Sequence, residues 1–226
     1  MSNTNQNKTD NLSTGAAKKR NFIAENQKSL FLILSGVVVL VFLYIGYQQF
    51  YLAPRESKAA DQMYRAELYA TVDSMRNRAI EGDGSYPGFK EISEAYDNTK
   101  SANIANAYLG GLYLREGKYQ EAIQNLEKFS DTGSQLLDAL VVGMIGDAYS
   151  ELKDYKNAAT FYKKAADKNA NSFTSPLMLK KLGLVYEAQN EYKSALDAYK
   201  QIKSNYPESQ ESTIIDSYIG RVEAKL

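Results

Sequence analysis

The chain has 226 residues with 27 basic and 27 acidic side chains, and it contains no cysteine, histidine or tryptophan. Without cysteine there is no disulfide, thiolate metal site or thiol nucleophile, and without histidine the commonest general base and metal ligand is missing. Residues 1–50 hold five basic and two acidic side chains and the remainder 22 and 25, so the body lacks the clustered basic surface that nucleic acid requires.

Residues 1–28 are dominated by Asn, Thr, Ser, Gln and Lys. Such a segment cannot bury enough apolar surface to offset its ordering entropy, and a disordered cytoplasmic tail is expected there. From Ser29 to Pro54 there are 26 consecutive residues without a formal charge. As a helix, Leu30 to Tyr51 would be about 33 Å long, enough to cross the hydrocarbon of a bilayer. A cleaved signal peptide would have a shorter apolar region followed by small residues at a cleavage site. Here the following residues are Gln48, Gln49, Phe50, Tyr51, Leu52, Ala53 and Pro54, so residues 29–52 read as an uncleaved transmembrane signal anchor. Lys18, Lys19, Arg20 and Lys28 precede it and Arg55 and Lys58 follow. That bias predicts a cytoplasmic N terminus, a body outside, and a membrane interface marked by Tyr44, Tyr47, Phe50 and Tyr51.

Beyond the anchor the expected elements are a helix over 55–81, a turn-rich break at 81–88 and a short helix over 89–97. Paired helices follow at 101–116 with 119–129, 135–152 with 155–168, and 176–189 with 192–205, with Ser175-Pro176 as a cap and first-turn proline. A last helix over 209–224 would close the array. No strand is evident. The Glu81-Gly82-Asp83-Gly84-Ser85 turn lacks the ligand alternation and terminal glutamate of a calcium loop, so neither a metal site nor a cofactor is expected.

The strongest signal is a repeat. Leu109-Gly110, Tyr113, Tyr119 and Ala122 recur as Ile145-Gly146, Tyr149, Tyr155 and Ala158, and again as Leu182-Gly183, Tyr186, Tyr192 and Ala195. Identical internal spacing at a period of about 36 residues marks stacked helical hairpins. A glycine inside a helix costs about 1 kcal/mol relative to alanine, so three in register imply a steric need. Gly110, Gly146 and Gly183 are expected to admit the second helix of each hairpin, with Ala122, Ala158 and Ala195 as its small surface, and with the tyrosines as structural core residues.

The pattern resembles the tetratricopeptide repeat. The large aromatic usual near the start of that family's first helix is replaced by Asn106, Val142 and Leu179, and only Pro207 keeps the closing proline. The resemblance implies an all-α fold: a transmembrane helix, then an α-solenoid over 55–226 with a degenerate first hairpin. Repeats would span 103–134, 139–170 and 176–207, with a capping helix at 209–224. By the same analogy the concave groove is lined by Ile104, Ala107, Gly111 and Leu114, by Leu140, Gly143, Asp147 and Ser150, and by Leu177, Lys180, Leu184 and Glu187. The family's carboxylate clamp is not matched: Ala107, Gly111, Met144 and Leu177 stand at its positions and only Lys181 is basic. An apolar partner segment is therefore expected in the groove, with the chain's own 89–97 or final helix as the competing occupant.

Taken whole, the short tail, the signal anchor and the small repeat body resemble the bacterial ancillary Sec-translocon subunit (YfgM-like) family, in its Bacteroidetes branch. Gly82–Phe89 and Asn98–Tyr108 carry that part of the resemblance. It implies an inner-membrane, single-pass protein with a periplasmic body, working beside the protein-conducting channel and a membrane-anchored periplasmic chaperone. It also implies no catalytic residues, no nucleic acid and no small-molecule substrate. The alternative is a scaffold that coordinates envelope assembly or division; an enzyme is disfavoured by the missing His and Cys.

Overall fold

A computed structural model describes residues 26–168 and 170–226. The chain divides after Pro54 into two compact units. In the first, helix α1 (Gln27–Gly46) is apolar on every face and buries none of its residues. The expected tail over 1–28 lies outside the described residues except at its end, where Gln27 and Lys28 are already helical. After α1 the helix widens into a π-helical turn, Tyr47–Leu52, with the Ala53 amide donating to Gln48 O. Pro54 has no N–H and its ring would collide with the carbonyl four residues back; a wider turn is a usual way to absorb that conflict. Tyr44, Tyr47, Phe50 and Tyr51 are all exposed, and the Tyr47 and Tyr51 rings stack at 5.2 Å. This unit holds the one helix among the described residues that is long and apolar enough to cross a membrane, a property that a signal sequence shares.

The second unit begins within α2 (Ala53–Ala70) and continues through a 3-10 turn (Asp73–Met75), α3 (Arg76–Glu81) and α4 (Phe89–Ala95). The single helix expected over 55–81 is thus interrupted. Thr71 and Val72 are consecutive β-branched residues that helices tolerate poorly. The Thr71 hydroxyl donates to Leu68 O at 2.8 Å, and Val72 is extended (φ −115°, ψ 116°). Between α3 and α4, Asp83 accepts bonds from the Tyr69 hydroxyl at 2.6 Å and from the Tyr86 and Ser85 amides. Those bonds hold its carboxyl at about 2. The loop is a hydrogen-bonded turn, and no cluster of possible metal ligands occurs among the described residues.

Three hairpins follow: α5 (Lys100–Arg115) with α6 (Tyr119–Leu126), α7 (Gln135–Glu151) with α8 (Tyr155–Asp167), and α9 (Thr174–Ala188) with α10 (Tyr192–Asn205). Each first helix ends in the same way. Gly117, Lys153 and Asn190 adopt positive φ, and the amides of Lys118, Asp154 and Glu191 return to the carbonyls of Tyr113, Tyr149 and Tyr186 at 2.8–2.9 Å. This is the Schellman closure of a helix C terminus. The repeated tyrosine therefore marks where the helix ends as well as supplying a ring.

Within each hairpin the recurring register glycine meets a large side chain. Gly110 faces Leu126, Gly146 faces Tyr162 and Gly183 faces Tyr199. The expected counterparts Ala122, Ala158 and Ala195 are fully buried, and the facing residue lies four positions beyond each of them. Successive side chains four apart share one helix face, so the alanine and the large residue act together on the same contact.

The core is three clusters in chain order. Ala59, Met63 and Ala66 of α2 join Phe89 and Ile92 of α4 and Ala105, Leu109 and Leu112 of α5. Ala122, Ile123 and Leu126 join Val141, Ile145 and Ala148. Ala158, Tyr162 and Ala165 join Leu182, Tyr199, Ile202, Ile215 and Val222. The expected closing helix over 209–224 is a 3-10 turn (Glu211–Thr213) followed by α11 (Ile215–Glu223). Glu56 also ties α2 to α5, accepting from the Lys100 and Ser101 amides and the Ser101 hydroxyl at the α5 N terminus, where negative charge is favoured.

The longer inter-hairpin loops are pinned by side chains. Asp138, 2% exposed, accepts from the Thr132 amide and hydroxyl and the Gly133 amide at 2.8–3.0 Å. In the turn before α9, Asn171 accepts from the Phe173 and Thr174 amides, and the N-cap position itself is Phe173. Ser175, expected there as the cap, instead donates to Ala166 O. Burial alone would raise the Asp138 pKa, but the bonds from Thr132 and Gly133 outweigh it and hold it below its ordinary value. A depressed carboxyl contributes stability above its unfolded pKa and loses it as pH falls through the folded one. Asp138→Ala should therefore cost about 1–3 kcal/mol at neutral pH and flatten the acid limb of a melting-temperature profile. An unchanged acid limb would assign that loss to other carboxylates.

Candidate interaction groove

The groove positions fall into two chemically different regions. Ile104, Gly111, Leu114 and Asp147 come together around an open cavity of about 570 Å³, with Ala107, Leu137 and Met144 completing its apolar wall. Its charged members are Arg115 and Asp147. A Cβ added at Gly111 would meet only the Met144 sulfur, at 3.7 Å, so this glycine leaves real space. Neither α4 nor α11 contributes to the lining. Leu137 was missed because it lies before the repeat boundary drawn at 139; the first turn of α7 carries no signature residue that would have extended it.

Toward the third hairpin the positions are engaged or filled. Gly143, expected to leave room, is buried, and Met178 occupies the space beside it. Leu140 and Leu177 are half-buried against the C-terminal core, while Leu184 stays exposed. Lys180 pairs with Glu211 at 3.2 Å. Lys181 pairs with both oxygens of Asp147 at 2.7 and 2.8 Å, so the one basic residue at a clamp position is already neutralised.

A repeated device sets this polar region. The Tyr162 hydroxyl donates to Asp147 Oδ1 and the Tyr199 hydroxyl to Glu187 Oε1, each at 2.6 Å. Arg221 of α11 closes on Glu187 through Nε at 3.0 Å and Nη2 at 2.6 Å, the forked geometry that strengthens a charged pair. Burial, with Asp147 and Glu187 as neighbours, pushes both tyrosines far above their ordinary pKa. Burial would raise the Glu187 pKa, but the bonds from Arg221 and Tyr199 outweigh it and lower it. In the first hairpin Leu126 replaces the tyrosine and Gly111 stands one residue after the register glycine, as Asp147 does in the second. The apolar cavity therefore opens on the first hairpin, which has no such pair, and is bounded on the side of the second by Asp147.

The tetratricopeptide repeat family is matched twice, over residues 141–171 and 181–209. The first match runs from within α7 past the end of α8, and the second from within α9 past the end of α10. No curated protein matches the chain. The C-terminal helical region carries tetratricopeptide repeats, the architecture of a protein-interaction scaffold.

Proposed function

We propose that this chain is a single-pass, membrane-anchored scaffold whose repeat body, over 55–226, takes an apolar partner segment in the cavity at Gly111. The anchor is residues 29–52, with the N terminus cytoplasmic and the body periplasmic. The observation that carries the binding reading is the open apolar wall of Ile104, Ala107, Leu114, Leu137 and Met144, to which neither α4 nor α11 contributes a residue. Small residues along the first helix of a hairpin admit a helix or an extended segment of a partner.

The partners proposed are subunits of the Sec channel and a membrane-anchored periplasmic chaperone, with the chain as an accessory subunit that passes or tethers emerging polypeptides. This reading is supported by the family resemblance and by an apolar helix preceding a small repeat body. Purification of the full chain in mild detergent, with identification of co-purifying proteins, tests it. Channel components are expected. Wall-synthesis or outer-membrane assembly proteins in their place would move the chain to envelope assembly.

Gly111→Leu tests the cavity itself. The substitution removes a helix-interior glycine, worth about 1 kcal/mol of added stability, while filling the space a partner side chain would occupy. Losing one buried apolar group costs about 1.5–3 kcal/mol of binding, so capture should fall about 10- to 100-fold in a protein that melts no lower. Undiminished capture by a stable variant would rule the cavity out.

A further inference from the structure

The cavity at Gly111 has one charge on its rim that the chain leaves unanswered. Arg115 stands four residues after Gly111 on α5, on the same face and about 6 Å further along. It lines the cavity and both recesses that adjoin it, one with Tyr64, Leu68 and Tyr108, the other with Tyr119 and Ser150. The residue is exposed, and its guanidinium makes no hydrogen bond or ion pair among the described residues. The acids of the two recesses are engaged elsewhere: Glu151 accepts from the Tyr119 hydroxyl at 3.1 Å, and Glu67 lies beside the Tyr108 hydroxyl. Other cations of the groove have acids of their own, Lys180 on Glu211, Lys181 on Asp147 and Arg221 on Glu187. Asp147, the other charged residue of the cavity, is answered by Lys181 and by the Tyr162 hydroxyl.

A cation in the last turn of a helix suits the helix dipole, which accounts for a basic residue at this position. The dipole does not supply an acceptor once water is removed. An apolar segment lying over Ile104, Leu114 and Met144 would strip water from the neighbouring guanidinium, and a charge dehydrated without a partner opposes binding. A segment that fits this rim therefore brings its own carboxylate, which a guanidinium takes through two parallel N–H···O bonds. We infer that Arg115 selects a partner segment with a side-chain carboxylate close to its apolar anchor. About 6 Å is spanned by three or four residues of a helical partner and by two of an extended one, so the Asp or Glu lies two to four residues from the side chain seated over Gly111. This rests on the cavity being the binding site, and it adds the sign of the partner's charge.

The test uses the full chain in nanodiscs of zwitterionic lipid and a phage library of random dodecapeptides fused at the amino terminus of a coat protein. The library has no free C terminus, so only side-chain carboxylates can be selected. Selected sequences should combine an apolar residue with Asp or Glu two to four positions away, and should be lost on Gly111→Leu. Arg115→Gln should keep the apolar preference and lose the acidic one. The fold tolerates that change, since Arg76 bonds to the Arg115 carbonyl and not to its side chain. Arg115→Glu should replace the acid with Lys or Arg. A selected peptide should bind about 5-fold tighter than the same peptide with glutamine for its acid, a difference that shrinks with salt and vanishes in Arg115→Gln. Apolar residues selected without acids, or acids selected equally by Arg115→Gln, overturn the inference and leave the cavity standing. No apolar preference, or one that survives Gly111→Leu, overturns the cavity and the inference with it.

Discussion

Gly183→Ala should lower the stability of the repeat body by about 1–3 kcal/mol, the usual cost of overpacking, although alanine is by about 1 kcal/mol the better helix former. The added Cβ would sit well inside 3.0 Å of the Tyr199 ring. That ring cannot yield. It is completely buried, its hydroxyl is fixed on Glu187 at 2.6 Å, and the Tyr218 ring packs on it edge-on at 5.5 Å. Gly111→Ala is the matched control, since its Cβ has ordinary contact with one flexible thioether; it should gain up to about 1 kcal/mol. Denaturant unfolding of the two variants decides the matter. Equal effects would mean that the register glycines answer to backbone preference and not to the ring.

The second large effect is alkaline. Tyr162 and Tyr199 are held protonated by burial and by the adjacent Asp147 and Glu187 carboxylates. A group whose folded pKa is raised contributes stability that is complete below its unfolded pKa and lost as pH rises toward the folded one. The unfolded chain releases these protons near pH 10 while the folded chain keeps them, so stability should fall from about pH 10 upward. Each tyrosine accounts for up to about 2.7 kcal/mol by pH about 12. A Tyr162→Phe, Tyr199→Phe double variant should have a shallower alkaline slope, the remainder coming from tyrosines such as Tyr108 and Tyr113 that are also raised. At neutral pH it should be weaker by about 1.5–3 kcal/mol per lost hydrogen bond to a carboxylate. Melting temperature against pH, followed with tyrosinate absorbance, measures both. A double variant with the parent's alkaline slope would place the titration in other groups.

The hairpins were legible because their signature is local. Leucine, glycine and tyrosine within five residues place a helix and its end, and the Schellman bond to Tyr113, Tyr149 and Tyr186 fits that reading. What escaped was set by packing between helices. The sequence paired each glycine with an alanine, but the crossing brings the residue one turn further into contact, so Leu126, Tyr162 and Tyr199 were unseen. The groove looked apolar throughout because Asp147 and Lys181, and likewise Glu187 and Arg221, stand 34 residues apart, and no local pattern announces their pairing. Lys153 at a left-handed position carries none of the usual glycine or asparagine signal, although Gly117 and Asn190 at the same register do.

The three core clusters share few residues and each draws on adjoining helices. In an array of this kind each layer leans mainly on its neighbours. A pull applied at the C terminus would first open the forked pair between Arg221 and Glu187 and strip α11 from Tyr199, before the layers behind it feel the load. Mechanically the body is therefore a row of clasps and not a single latch. Under tension it should lengthen one hairpin at a time.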